Sequence, residues 1–382
     1  LIAAGPTPPS PILEVTVMRD TALFRPFRYK NLALDNRIAM APMTRYLSPE
    51  GIPAADAAAY YSRRAAGGVG LIITEGVGID REAARRDPNV PNFFGEDALR
   101  EWSKVFGAVR AAGASIVPQL WHVGASPARD PSKPETPRES PSALFGDGPV
   151  RGRAMSDRDI ASTIEAYASA AENALRLGAA GVEIHAAHGY LIDQFFWNVT
   201  NRRNDKFGGA DIAARTRFGV EVVKAVRARV GPDFPIIFRI SQWKIPDYDN
   251  RLVRTPSELE SWLRPLRDAG VDIFHCSQRR FWNPEFEGSS LNLAGWVKKL
   301  MDCPTISVGS VGLSVAFLDP AAQGPIATAN VDALIDRLER EEFDLIAVGR
   351  ALISEPQWAA KVRTGHFAAL KPYNPADLAT LT

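Results

Sequence analysis

Eight short apolar runs recur along the chain, separated by long stretches of helical pattern. They are RIAMAPM (37–43), VGLIITEG (69–76), SIVPQLW (115–121), GVEIHA (181–186), PIIFRI (235–240), VDIFHC (271–276), PTISVG (304–309) and FDLIAVG (343–349). Each has strand length, and most are unbroken rather than alternating, which suits a parallel sheet covered on both faces. Parallel neighbours cannot be joined by a tight turn, so each needs a crossover. The helix signals stand where the crossovers are needed. Ser156 opens SDRDIASTIEAYASAAENALRLG and Gly178 closes it. Thr255-Pro256-Ser257-Glu258 reads as a capping box with proline at the first helical position, and Gly270 closes that helix. Gly113 and Gly231 close two more. Repeated strand–helix units in this order predict an α/β fold, a (β/α)8 TIM barrel. A doubly wound open sheet is the alternative.

Two segments lie outside the bare repeat. ALFRPFRYKNLALDN (22–36) carries aromatics and a turn, and predicts a short N-terminal hairpin capping the barrel bottom. Residues 125–156, rich in Pro, Ser and charge, predict a long βα loop on the face where barrels carry function. LIAAGPTPPSPILEVTV (1–17) is broken by prolines and lacks a positive n-region, so it reads as a disordered extension before a natural start at Met18. A single domain over 18–382 is then expected.

With 382 residues, 46% of them hydrophobic, the chain has ample material for one core. A net charge of +1 offers no basic surface for nucleic acid. No apolar run approaches the roughly 20 residues of a membrane span. Cys276 and Cys303 lack CxxC spacing and fit a reducing, cytoplasmic compartment. A small-molecule substrate is the expected partner; monomer and homo-oligomer both stay open.

A barrel builds its active site at the C-terminal ends of its strands. Two of the five histidines fall at one such end, in EIHAAHGYLIDQFF (183–196). A metal at His185 and His188 would need a third ligand, and Glu75 is the carboxylate near a strand end. Satisfaction of loop backbone groups is the plain reading. Tyr190, two positions on, favours donors converging on a substrate. Gly309 and Ser310 after the seventh run, with Gly349 and Arg350 after the eighth, allow close backbone approach and a cation for a phosphate. Gln119 and Arg239 add an amide and a second cation. A phosphorylated polar ring suits this set, and FMN fits. Gln119 can pair with the pyrimidine edge, Arg239 can face the charge a reduced ring gains near N1 and O2, and Thr44 can reach O4. A buried ion pair is the alternative for Arg239.

The motifs NRIAMAPMTRY, LIITEG, PQLWHVG, GVEIHAAHGYLIDQFF, NRRNDKFGG and VGRALISEP follow one another between about Leu23 and Pro356. In this order they resemble the Old Yellow Enzyme family of FMN-dependent ene-reductases. The resemblance implies a tightly bound FMN, with hydride drawn from NADH or NADPH and passed to the C=C bond of α,β-unsaturated carbonyls or nitro compounds. It implies that Thr44 tunes the flavin through O4, that Pro42 and Met43 supply backbone beside the ring, and that Gly76 lies against it. It assigns Gln119 and Arg239 to the pyrimidine part, and Gly309, Ser310, Gly349 and Arg350 to the phosphate. Trp121 would shape the substrate pocket, His185 and His188 would bind the substrate oxygen, and Tyr190 would be the proton donor. No metal is implied, and two cysteines cannot ligate the iron–sulfur cluster of some members. A barrel dehydrogenase and a non-catalytic flavin sensor are the alternatives. The chain departs from the family pattern at Asn204, where members commonly have Thr, and in NPADLATLT at the C-terminus. It departs again in SQRRFWNPEFEGSS (277–290), where Phe281 or Trp282 either lines the pocket or packs within the loop.

Overall fold

The computed structural model describes residues 18, 20–127, 137–316 and 331–382. The extension expected over 1–17 and residues 128–136 of the long loop lie outside the described residues. The barrel strands are β3 (Ile38–Met40), β4 (Leu71–Gly78), β5 (Ser115–Trp121), β8 (Val182–His185), β9 (Ile236–Ser241), β10 (Ile273–Ser277), β11 (Thr305–Val308) and β12 (Leu345–Val348). Each pairs in parallel with its sequence neighbours, and β12 pairs with β3 to close the ring. All eight apolar runs are therefore barrel strands. Most are shorter than their runs, because pairing stops where the chain turns away. β4 instead runs on to Gly78, through a register shift between Ile73 and Gly76.

Crossover helices sheathe the barrel. They include α1 (Ala57–Ala66), α2 (Glu96–Ala111), α3 (Asp157–Arg176), α6 (Arg217–Val230), α7 (Pro256–Ala269), α8 (Leu293–Met301) and α9 (Val331–Glu339). Short helices α4 (Leu191–Phe196) and α5 (Ile212–Arg215) precede α6, and α10 (Ala351–Ser354) and α11 (Trp358–Arg363) follow β12. The expected caps form. Ser156 Oγ accepts from Asp159 N at 3.2 Å, and Thr255 Oγ1 accepts from Glu258 N at 3.2 Å. Each such cap contributes about 1 kcal/mol. Gly270 ends α7 at φ 118°, a left-handed conformation that a side chain would strain.

Inside the barrel, Leu71, Ile73, Val117, Ile237, Ile273, Ile306 and Leu345 form a dry layer with Phe27, Leu32 and Leu34. The last three belong to the expected hairpin, β1 (Phe27–Tyr29) and β2 (Leu32–Leu34). Burying each of these side chains contributes about 1.5–3 kcal/mol, so the hairpin is an integral plug. The long loop after β5 carries β6 (Glu139–Ser140) and β7 (Arg153–Ala154). Buried Glu139 ties it down by accepting from Arg81 at 2.7 Å and Arg153 at 2.6 Å, with His122 Nε2 at 3.1 Å. His122, at the end of β5, is thus occupied in holding the loop.

Candidate active site

A cavity of about 400 Å³ opens at the C-terminal ends of the strands. Pro42, Met43 and Thr44 after β3, Gln119 and Trp121 of β5, and Arg239 of β9 line it. So do His185, His188 and Tyr190 at and after β8, Gly309 and Ser310 after β11, and Gly349 and Arg350 after β12. Gly76 does not. A Cβ there would come within 2.6 Å of Trp121 Cε3 and 3.3 Å of Gln119 Oε1, so Gly76 stands behind these side chains.

The stretch 183–196 turns a strand into a helix through two left-handed residues, His188 (φ 66°) and Gly189 (φ 81°). Non-glycine residues rarely hold this conformation, and here the surroundings enforce it. His188 N–H donates to Ser241 Oγ at 2.9 Å, and Gly189 N–H donates to Asp193 Oδ2 at 2.7 Å. Asp193 pairs in turn with Lys244 Nζ at 2.7 Å, both side chains at 0% exposure. Trp243 stacks on the His188 ring at 4.3 Å. The turn brings three rings together: His185 lies 5.0 Å from His188 and 5.0 Å from Tyr190, centroid to centroid. The Tyr190 ring also stands edge-on to Trp121 at 4.9 Å.

Burial, with Arg239 nearby, holds both histidines well below the usual imidazole range, so each is neutral with one N–H. Ala187 N–H donates to His185 Nδ1 at 3.3 Å, which places the His185 proton on Nε2. Burial, reinforced by Tyr46, raises the Tyr190 pKa, while Arg239 pulls the other way. Its phenol therefore keeps its proton at neutral pH.

Under the cavity floor lies a polar layer. Gln119 Nε2 donates to Glu183 Oε1 at 2.7 Å, and His275 Nδ1 contacts Glu183 Oε2 at 2.6 Å. Burial opposes the Glu183 charge, but His275 and Arg239 together hold its carboxyl below the usual range. Arg239 Nε is buried without a hydrogen-bond partner, and among the described residues no carboxylate closes an ion pair with Arg239. The ion-pair alternative for Arg239 thus finds no partner. The Arg239 side chain lines the cavity, where its charge suits an electron-rich ring edge.

At the opposite end, the backbone N–H groups of Gly309, Ser310 and Gly349 make no hydrogen bond among the described residues. Ser310 Oγ is turned into its own loop, 2.8 Å from Arg279 O and 3.0 Å from Val315 O. A Cβ at Gly309 would meet Gln278 O at 2.5 Å. Arg350 Nη2 donates to Val315 O at 3.0 Å, beside these open amides. Bare amides and a cation at one end, with an amide and a guanidinium at the other, fit the phosphate and pyrimidine of FMN.

Several lining residues escape sequence reading: Tyr46, Trp243, Ser277, Gln278, Arg279 and Tyr373. From the 277–290 loop it is the polar Ser277, Gln278 and Arg279 that reach the cavity. Phe281 is core and Trp282 packs against it, ring to ring at 5.0 Å. Glu75 is also buried, accepting from Arg45 N at 3.0 Å, and burial pushes its carboxyl up to about 7. Among the described residues no three His, Cys, Asp or Glu side chains form a metal-binding group.

A closed parallel barrel that presents these groups at its strand ends has the form of a cofactor-binding barrel enzyme. The model of the NADH:flavin oxidoreductase / NADH oxidase family matches residues 22–368, and the chain belongs to that family. Within it, the chain is an FMN-dependent member of the Old Yellow Enzyme group. It is 40% identical over 373 residues to chanoclavine-I aldehyde reductase of Penicillium roqueforti, covering 94% of this chain and 92% of that protein. It is 31% identical to a metal reductase of Desulforamulus reducens and 32% identical to an NADH oxidase of Thermoanaerobacter brockii. It covers 92% and 90% of itself in these matches but spans only about half the length of either relative. The complex of morphinone reductase with tetrahydroNAD superposes with a TM-score of 0.77 at 28% identity, covering 94% of both chains. An Old Yellow Enzyme homologue from Zymomonas mobilis gives 0.76 at 25%, covering 94% of this chain and 97% of that one. Among the described residues no helix is long and apolar enough to cross a membrane.

Proposed function

We propose that this chain reduces the C=C bond of electron-poor alkenes, α,β-unsaturated carbonyls first among them, at the expense of NADH or NADPH. The observation that carries the reading is the convergence of His185, His188 and Tyr190 on the cavity that also presents Gln119 and Arg239. The chemistry that FMN would supply here is hydride transfer between the nicotinamide and the alkene. Thr44, Gln119 and Arg239 would hold the FMN ring, while the open amides after β11 and β12, with Arg350, would hold its phosphate.

The protein side chains do the rest. Negative charge builds on the carbonyl oxygen as the β-carbon is reduced, and neutral imidazole N–H groups meet it there. Neutrality matters, because two imidazolium ions would repel each other and Arg239. Tyr190 gives its proton to the α-carbon. The tyrosinate left behind is drawn towards Arg239, whose field lowers the Tyr190 pKa. Trp121 packs against both His185 and Tyr190 and keeps the donor aligned with the oxygen clamp.

The test is an anaerobic one. Protein reduced by NADH or NADPH is mixed with cyclohexenone, and the flavin absorbance is followed. Rapid return of the oxidised spectrum with formation of cyclohexanone is expected. Return of the spectrum only on admission of air would leave a dehydrogenase or a non-catalytic flavin protein, and one relative, from Epichloe festucae, is named a probable inactive reductase.

A further inference from the structure

We propose that Ser277 is a positioning residue for His188, fixing the ring nitrogen from which that histidine donates. The proposal rests on the oxygen-clamp reading above. A neutral imidazole has one N–H, so His188 can present to the cavity either a donor or a bare lone pair. A lone pair would repel an oxygen gaining negative charge. The choice is made by the neighbour of the other ring nitrogen.

His188 Nε2 lies 2.8 Å from Ser277 Oγ, the last residue of β10. Ser277 is 4% exposed and has no second hydrogen-bond partner among the described residues. A buried hydroxyl proton needs an acceptor, and among the described residues Nε2 is the one within reach. The bond therefore runs from Oγ–H to Nε2, and the His188 proton goes to Nδ1. That nitrogen has no partner among the described residues, and the ring lines the cavity. Exchange of the two nitrogens by ring rotation is opposed by Trp243, stacked at 4.3 Å and 26°. The anchored backbone opposes it too, with His188 N–H held by Ser241 Oγ. The two histidines then donate from different nitrogens: His185 from Nε2, because Ala187 N–H occupies Nδ1, and His188 from Nδ1. A residue placed where Phe281 and Trp282 draw attention in the sequence thus acts through a hydroxyl.

The experiment uses FMN-loaded full chain with ring-15N histidine, His188 being assigned by loss of its signals in His188→Ala. The wild-type spectrum should show a protonated Nδ1 and a bare, hydrogen-bonded Nε2. Protonation at Nε2 in wild type overturns the proposal, whatever any variant does. In Ser277→Ala the Nε2 resonance should lose its hydrogen-bond shift and the tautomers should mix. Affinity for 4-hydroxybenzaldehyde, whose phenolate probes the clamp, should fall about tenfold, the scale of one lost hydrogen bond. Ser277→Thr should restore both readouts. An unchanged Nδ1–H and unchanged affinity in Ser277→Ala would also overturn it. The clamp reading fails separately, if His188→Ala binds the phenol as wild type does. The nitrogen spectrum would still report whether Ser277 sets the tautomer.

Discussion

Glu183 and Arg239 share one buried layer on adjacent strands without forming an ion pair. Both carboxylate oxygens of Glu183 are engaged elsewhere, by Gln119 at 2.7 Å and His275 at 2.6 Å. Arg239 keeps its charge beside the carboxylate but finds no acceptor for Nε. Arg239 also lines the cavity, so its charge stands beside the space a ligand would fill.

Arg239→Ala should therefore weaken FMN binding by roughly tenfold or more, the scale of a hydrogen bond to a charged group, and lower the reduction potential of the bound flavin. Fluorescence titration of the apoprotein and a redox titration of the holoprotein read the two effects. Retention of both values would make Arg239 a structural residue.

The amides after β11 and β12 that lack a backbone partner would suit a terminal phosphate. Heat-denatured protein should release FMN and no FAD, as read by chromatography of the supernatant. Recovery of FAD, or of a colourless protein that FMN cannot reconstitute, would contradict this assignment.

Phenols should bind the oxidised holoprotein and produce a long-wavelength absorption band. His185→Ala should lose that band or bind at least tenfold more weakly. A chelator or added zinc should leave activity unchanged; inhibition by chelation would return the histidines to a metal.

Tyr190→Phe keeps the ring against Trp121 and His185 but removes the acidic proton. Flavin reduction by the preferred nicotinamide should stay within a few-fold of wild type. Reoxidation by cyclohexenone should slow by roughly 10²-fold or more, the usual scale for a positioned acid. Reoxidation by a quinone should suffer less, since its oxygens take protons from water. Stopped-flow traces of the three reactions separate proton donation from a general loss of the site, which would slow all three alike.

Glu75 gives a pH signature. Burial raises its folded pKa to about 7, above the unfolded value. The folded state therefore holds a proton that the unfolded state has released between pH ~4.5 and ~7, and stability falls across that window as pH rises. The loss is at most roughly 3 kcal/mol. Glu75→Gln, which copies the protonated form, should flatten this part of the curve and be more stable than wild type above pH ~7. Parallel pH profiles of Tm for the two proteins would refute the assignment.

The barrel was legible because buried parallel strands read as unbroken apolar runs, and the hairpin because its aromatics surround a turn. The strand-end rule then placed most of the cavity. What escaped it had physical causes. Glu183 and His275 sit inside GVEIHA and VDIFHC and pass for strand interior. A carboxylate in such a run must find a buried partner, and that requirement was the available clue. Gly76 stands against the cavity residues Trp121 and Gln119, beside a register shift that composition does not mark. Phe281 and Trp282 are the large side chains of the 277–290 loop, yet apolar bulk sends them to the core and leaves Ser277, Gln278 and Arg279 at the rim. Tyr373 joins the wall through a tertiary contact: Arg45 Nη2 donates to Asp377 O at 3.1 Å and Thr380 O at 2.6 Å, holding the C-terminal segment over the mouth.

The hairpin that stoppers the barrel has a kinetic meaning. With Phe27, Leu32 and Leu34 filling one end, the lumen is a blind well rather than a passage. Whatever reaches the floor must leave by the way it came. A hydride donor and a hydride acceptor that both need that floor must queue for it. Their initial-rate plots should form parallel lines, and an excess of either reactant should inhibit by keeping the other out.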